Sequence, residues 1–367
     1  MQSDVVVVGA GPAGIASAIA ASLKGFRVTV LDYRKPPIDK PCGEGLLPEA
    51  VAGLHALGIP LNPGMAFPFS GIRFCDAQSC ASASIAPGQA YGLRRTALHR
   101  MLVDRATALG VQFRWGAGVS EFYAGEVRVA GERISFRWLV GADGQNSRVA
   151  KWAGLDPPRR FHSRFGFRRH YAVAPWSDFV EVHWGARCQL FVTPTGPDEV
   201  CVALLTSNPR MGIESALAQF PEVARRLRKA RPITREAGAV SMLRRARAIA
   251  GGNVALVGDT SCAIDGIAGQ GLSLAFQQAL ALGEALAHGD LARYQSAHRQ
   301  ITATPVRITR LMLLMNSSTW LRRKVLRLFA ANPSLFAKMM SIHTRQAKQV
   351  ELKAADVIGL GWRLLWA

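Results

Sequence analysis

Cysteine is scarce and scattered in this chain: Cys42, Cys75, Cys80, Cys188, Cys201 and Cys262 are all it has in 367 residues. No C-x-x-C pair and no Cys/His spacing marks a zinc site, so no metal centre is expected. Six cysteines would allow three disulfides, but nothing in their spacing supports one, and isolated thiols suit a reducing compartment. No internal repeat and no low-complexity tract occurs, which excludes solenoids and disordered scaffolds. Long hydrophobic runs are missing, with one exception. Val5 to Leu23 is nearly all apolar, but no basic stretch precedes it, and Gly9, Gly11 and Gly14 interrupt it where a strand would turn into a helix. It reads as neither signal peptide nor membrane span, and the protein is expected to be soluble and cytoplasmic.

Acidic residues are few: 25 Asp and Glu stand against 45 Lys and Arg, a formal charge of +20. That excess suits a generally basic surface, or attraction to anionic nucleotides, a lipid surface or nucleic acid. No nucleic-acid motif accompanies it, so no nucleic-acid partner is expected. With 49% hydrophobic and 19% charged residues, the composition is that of a globular protein, long enough for more than one core.

What is present begins at the N-terminus. Residues 4–8 form a β-branched run, residues 13–24 a helix stopped by Gly25, and residues 27–31 a second strand, a βαβ unit. Residues 33–45 are a Pro/Gly-rich loop and 48–57 a short helix. Residues 96–109 form a helix, and three strands around 119–122, 126–130 and 133–140 follow as a meander. From about 161 to 206 the texture changes to alternating strands, and a basic helix is expected over 215–229. A βα unit returns at 253–259 and 271–287.

Gly9-x-Gly11-x-x-Gly14 lies between the first strand and its helix. The first glycine permits the tight turn, the second admits a pyrophosphate, and the third lets helix pack on strand. Pro12 and Ala13 open the helix, whose free N–H groups and partial positive charge face the phosphates. Asp32, with Tyr33 beside it, ends the second strand, 18 residues past Gly14, where a carboxylate can accept ribose hydroxyls. These residues define a dinucleotide site but do not separate FAD from NAD(P).

Two later segments do. Leu139-Val-Gly-Ala-Asp143-Gly resembles the D-G fingerprint of flavoprotein hydroxylases, and Ala255-Leu-Val-Gly-Asp259 with Gly269-Gln270-Gly271 resembles their G-D fingerprint. Over roughly residues 1–300 the chain therefore resembles the FAD-dependent monooxygenase and geranylgeranyl-reductase superfamily, with its para-hydroxybenzoate hydroxylase-like fold. Lys40-Pro-Cys-Gly-Glu-Gly45 and Leu93-Arg-Arg95-x-x-Leu98 resemble its reductase-like branch.

The resemblance implies an α/β fold: a mostly parallel, Rossmann-type FAD-binding sheet, an inserted antiparallel substrate-binding sheet and a helical C-terminal extension. The expected division is 1–70, 93–155 and 241–300 for FAD, 71–92 and 156–240 for substrate, and 301–367 for the extension. The implied cofactor is non-covalent FAD, with NAD(P)H as electron donor and a hydrophobic small molecule as substrate. Asp259 would hold a ribityl hydroxyl, and the Gly269–Gly271 turn would aim a helix at the flavin's pyrimidine edge. Arg95 would lie near the phosphates or ribityl chain, Val119 near the adenine, and Cys42 and Gly43 near the flavin. Asp143 would orient the D-G loop. Hydroxylation is put slightly ahead of double-bond reduction, and no catalytic acid or base is assigned.

Departures from the pattern are informative. Cys262 and Gly266 stand where the family often has the His and Pro of H-x-x-x-P, and Cys262 reads as a small buried filler. Gln189-Leu-Phe191-Val-Thr193-Pro194 replaces the aromatic W-x-W-x-I-P of halogenases and Y-x-W-x-F-P of geranylgeranyl reductases. Phe165, Phe167, His170, His183, Trp184 and Phe191 would form a pocket if one face of their sheet covers the flavin.

In the tail, Leu311, Leu314, Met315, Leu321, Leu328, Phe329, Phe336 and Met340 recur at helical spacing among Arg307, Arg310, Arg322, Arg323, Lys324, Arg327 and Lys338. Farther on lie Arg345, Lys348, Lys353 and Arg363, opposed only by Glu351 and Asp356. Such a segment is either a structural cap or a peripheral contact with a membrane.

Overall fold

The computed structural model describes residues 2–62, 64–86, 88–156 and 163–344. Among them the chain forms two large sheets joined by helices. The first sheet grows from the strand Gln2–Val8, whose valines at 5, 6 and 7 are fully buried. It pairs in parallel with Val28–Asp32 on one side and Glu132–Gly141 on the other. Gln112–Trp115 and Val254–Leu256 extend the two flanks, also in parallel. Strand order thus reverses beside Gln2–Val8, and the C-terminal end of that strand is where an open α/β sheet leaves a crevice for ligands. The meander Val119–Tyr123, Glu126–Val129 and Glu132–Gly141 is antiparallel, as its turns imply.

Two helices that start at this crevice pack side by side, Pro12–Ser22 and Gly271–Ala287. They approach so closely that a Cβ on Gly283 would lie 3.0 Å from the Ala20 carbonyl oxygen. A Cβ on Gly258 would lie 2.6 Å from that of Ala13, which ties the G-D segment to the start of the first helix.

The second sheet runs Arg164–Ala172, Glu199–Thr206, Cys188–Gly196, Phe179–Trp184, Gly71–Cys75 and Cys80–Ser84, with Ala237–Ser241 on the outer side of the first. It is antiparallel except where Phe179–Trp184 runs parallel to Gly71–Cys75. A parallel pair needs a long crossover connection, and these two strands are separated by about a hundred residues that supply one. The basic helix expected over 215–229 is broken into Ile213–Ala216, a 3₁₀ turn and Pro221–Leu227. Pro221 lacks the N–H that a continuous helix needs there and instead starts a new one.

Another expectation is corrected at Cys75 and Cys80, which form a disulfide with Cα atoms 4.2 Å apart. The two residues face each other across the hairpin Gly71–Ser84. Directly opposed strand positions bring Cα atoms to about the 4.5 Å of a non-hydrogen-bonded pair, so this sulfur pairing depends on strand register. Cys188, Cys201 and Cys262 are buried free thiols, and Cys42 is half-buried.

Three helices end the described chain: Leu291–Ser317, Thr319–Ala331 and Pro333–His343. Val306, Met312, Met315, Leu326, Phe329, Phe336 and Met340 pack with Ile72, Phe74, Trp184, Ile267 and Ala268 into a second apolar core. The tail therefore caps both the second sheet and the Gly266–Gly271 turn. Residues 345–367, including Arg345, Lys348, Lys353 and Arg363, lie outside the described residues.

Candidate functional site

The Gly-rich loop assigns its three glycines different tasks. A Cβ on Gly9 would sit 2.4 Å from the Ala142 carbonyl oxygen, and Gly9 also has φ +107°. A Cβ on Gly14 would sit 1.9 Å from the Gly9 oxygen. Both glycines are required by the protein's own packing. Gly11 is different, since a Cβ there meets no protein atom within 4 Å. The space that glycine preserves is open to a ligand. Pro12 occupies the first turn, no side chain caps Gly11, and no acid lies in that turn. The helix thus presents bare N–H groups and positive dipole to the crevice.

Asp32 is buried and braces this loop. Its Oδ2 accepts from the Ala10 N–H at 2.8 Å and its Oδ1 from the Arg34 N–H at 2.8 Å. Tyr33 is exposed, its Cβ against Gly118, and the buried Val119 follows. The Val119 carbonyl accepts from Arg148 Nη1 at 2.6 Å.

Asp143 is taken up by its own loop. It accepts from the Ser147 hydroxyl at 2.5 Å and from the Arg148 N–H at 2.7 Å, fixing the start of the helix Arg148–Trp152. The neighbouring Gly144 N–H donates to Thr260 Oγ1 at 2.9 Å, and that hydroxyl donates to the Gly144 carbonyl. The two fingerprints, 116 residues apart, are joined directly.

In the second of them, Asp259 Oδ2 accepts from Lys40 Nζ at 2.7 Å, and both side chains remain partly exposed. Gly269 has φ +65°, a left-handed turn suited to glycine. Gly271 opens the 17-residue helix with no side-chain cap, and a Cβ there meets nothing within 4 Å. The buried Gln270 donates to the His343 carbonyl, and no donor among the described residues reaches its Oε1. Arg95 Nε is also buried without a partner among the described residues, while the Arg95 N–H donates to Glu44.

Two uncapped helix starts, two glycines fronting empty space and an orphaned arginine nitrogen fit a phosphate-bearing, partly anionic cofactor. Residues 2–290 match the FAD binding domain family. The chain belongs to that family. This flavoprotein is 28% identical over 324 residues to the menaquinone reductase of Mycobacterium tuberculosis, which spans 80% of this chain and 78% of the relative. It is 25% identical over 318 residues to digeranylgeranylglycerophospholipid reductase 1 of Methanothermobacter thermautotrophicus, across 79% of each chain. A 3-(3-hydroxy-phenyl)propionate/3-hydroxycinnamic acid hydroxylase of Mycobacterium sp. is 32% identical, but over 170 residues and 42% of this chain. Among solved structures, a flavoprotein/dehydrogenase from Cytophaga hutchinsonii superposes with a TM-score of 0.83 at 18% identity, covering 100% of this chain and 98% of that one. That likeness concerns the fold. The protein is an FAD-dependent oxidoreductase.

The flavoprotein also holds a buried polar cluster that sequence reasoning missed. Glu44, in the C-G-E-G loop, has φ +59° and is 2% exposed. Its Oε2 lies 2.6 Å from His170 Nε2 on the second sheet, and its Oε1 accepts from the Arg95 N–H at 3.0 Å. Arg168 Nη1 donates to His170 Nδ1 at 3.2 Å, and Arg168 Nη2 donates to Asp39 at 2.6 Å. Since a guanidinium only donates, His170 Nδ1 is the acceptor and Nε2 carries the proton given to Glu44. The Cys201 thiol lies within reach of Glu44 and His170, and burial pushes it well above the usual thiol range. Three such side chains are a conceivable ligand set, but the Arg168 guanidinium beside them supplies the positive charge instead. The glutamate in C-G-E-G was visible in sequence; its partner 126 residues away was not.

Cys42 Sγ accepts from the Glu44 N–H at 3.4 Å, which leaves Gly43 at the crest of that loop with open space at its Cβ position. Cys262 is buried, and burial pushes its thiol up to about 12. Of the six sheet residues expected in one pocket, the structure divides the set. His170 faces Glu44 of the C-G-E-G loop, and Trp184 and Phe191 pack into the core beneath the tail helices, whereas Phe167 and His183 pack toward Phe220 and the helices over 213–227. Phe165 shares the Phe167 face by strand alternation. A pair of sheet positions two apart share a face, and positions of odd separation do not.

Proposed function

We propose that this flavoprotein reduces a carbon–carbon double bond in a lipophilic, isoprenoid-like substrate, drawing electrons from NAD(P)H. The observation that carries the reading is the extent of the likeness: the relatives aligned along about four-fifths of the chain are reductases, whereas the hydroxylases align over 42% of it. The reaction adds a hydride and a proton across the bond and leaves NAD(P)+. Bound FAD supplies the two-electron relay between nicotinamide and substrate.

The chain's own groups bind and orient. The loop Gly9–Gly14, the helix start at Pro12 and Arg95 would receive the phosphates, and Asp32 would meet the ribose. Val119 would meet the adenine, and Asp259 with Lys40 would lie along the ribityl chain. The helix start at Gly271, preceded by Gly269 and Gln270, would stabilise negative charge at the pyrimidine edge. Asp143 holds the D-G loop, while Cys42 and Gly43 would border the ring. Trp184 and Phe191, with the apolar core behind them, suit a hydrocarbon substrate.

Hydroxylation is the second reading, and it is favoured by the hydroxylase likeness over 42% of the chain. Anaerobic incubation with NADPH and prenylated quinones separates the two. A product heavier by two hydrogens, formed without oxygen, supports reduction. Product formation that requires oxygen and adds one oxygen atom would replace it with hydroxylation.

A further inference from the structure

Residues 291–343 contain no Asp or Glu. The helices there bury one side against the protein and leave the other bare. On Leu291–Ser317 the exposed positions Arg307, Arg310, Leu311 and Leu314 follow the i, i+3, i+4, i+7 spacing of one helical face. On Thr319–Ala331, Trp320, Arg323 and Arg327 continue the exposed side.

Leu311 is 55%, Leu314 53% and Trp320 64% exposed. Three of the nine large apolar side chains exposed among the described residues thus fall within ten positions, while the others are dispersed. Lys324 Nζ lies 4.6 Å from the centre of the Trp320 ring. Arg307, Arg310 and Arg323 enter no ion pair among the described residues.

The chemistry of this face selects its occupant. A second copy of the same face would set arginine against arginine and repel. Nucleic acid would satisfy the charges and leave two leucines wet. A bilayer with anionic headgroups satisfies both, because the apolar tips enter the acyl boundary, the indole settles at headgroup level and the arginines meet phosphates. We propose that the face formed by Arg307, Arg310, Leu311, Leu314, Trp320 and Arg323 docks on the surface of an anionic lipid bilayer. Docking would put the apolar core between these helices and the second sheet next to a reservoir of lipophilic molecules.

The test uses the full chain with its flavin bound, sedimented with vesicles of phosphatidylglycerol and phosphatidylcholine or of phosphatidylcholine alone. The expected result is binding to the anionic vesicles that weakens as salt rises. Arg307→Gln with Arg310→Gln should weaken it about 25-fold, from about fivefold per charge. Leu314→Ser with Trp320→Ala should weaken it by about tenfold, with flavin content unchanged in both variants. Failure of the parent protein to pellet with anionic vesicles overturns the proposal. Equal binding by parent and variants also overturns it, by moving the contact elsewhere. A dimer in solution that Trp320→Ala dissolves, without vesicle binding, would make the face an interface between copies. Adsorption is read without substrate, so its outcome is independent of which reaction the site performs.

Discussion

At the scale of single residues, two glycines of one motif carry opposite expectations. Gly11→Val should leave the fold intact, because its Cβ position is empty to 4 Å, yet block the approach of a pyrophosphate. The expected outcome is an apoprotein with stability changed by no more than about 0.5 kcal/mol and with little flavin absorbance. Gly14→Val drives a side chain into the Gly9 carbonyl and should cost about 3 kcal/mol, visible in urea unfolding of the apoprotein. If both variants lose flavin with equal loss of stability, the open space at Gly11 is not the phosphate cradle. Glu44 is a second decisive residue. Its left-handed backbone costs on the order of 1 kcal/mol and is held by hydrogen bonds to His170 and Arg95. Glu44→Ala leaves the buried Arg168 without that carboxylate and should lower stability by about 3 kcal/mol. Glu44→Gln, which keeps an acceptor for His170 Nε2–H, should cost less. Equal costs for the two would show that the hydrogen bond to His170 contributes nothing beyond the charge at Glu44.

Elements convert such contacts into pH dependence. The helix Leu291–Ser317 places His298 in the core beside the Ser261 hydroxyl, at 3.0 Å, and burial lowers the imidazole to about 4. The helix Pro333–His343 ends on His343, buried beside the Gly266–Gly271 turn and also lowered to about 4 by burial. In the unfolded chain both would titrate near 6.5. Between those values the unfolded state binds protons that the folded state refuses, so stability is full above about pH 6.5 and falls as pH drops toward about 4. Each histidine contributes on the order of 3 kcal/mol to that loss. Chemical unfolding at a series of pH values should show the slope, and His298→Gln should reduce it. A slope unchanged by that substitution would remove His298 from the explanation.

At the scale of the whole molecule, cofactor and fold should be linked, because the proposed cradle draws on segments from residue 9 to residue 271. A ligand that binds only the folded chain adds about 4 kcal/mol at roughly a thousandfold excess over its Kd. Removing FAD should therefore lower the thermal midpoint, and added FAD should restore it in a concentration-dependent way. Asp259→Ala should shift the concentration needed upward, since a charge-assisted bond is worth about 1.5–3 kcal/mol. An apoprotein as stable as the holoprotein would mean that the flavin is bound by fewer of these segments than the fold brings together.

The sequence by itself determined the local chemistry: the strand–glycine–helix start at Gly9–Gly14, Asp32 at the end of the next strand, and the helix beginning at Gly271. Those features rest on φ angles, helix termini and apolar alternation, all of which act over a few residues. The bounds of the helix at 271–287 were legible for the same reason. Tertiary structure alone decided the rest. It paired Glu44 with His170, Lys40 with Asp259, Gly144 with Thr260 and Cys75 with Cys80, and it divided the sheet aromatics between two faces. It also determined which tail residues are core and left Leu311, Leu314 and Trp320 outside. Strand register and sheet pairing set those contacts, and a one-residue slip in a strand would reverse its faces without changing any local propensity.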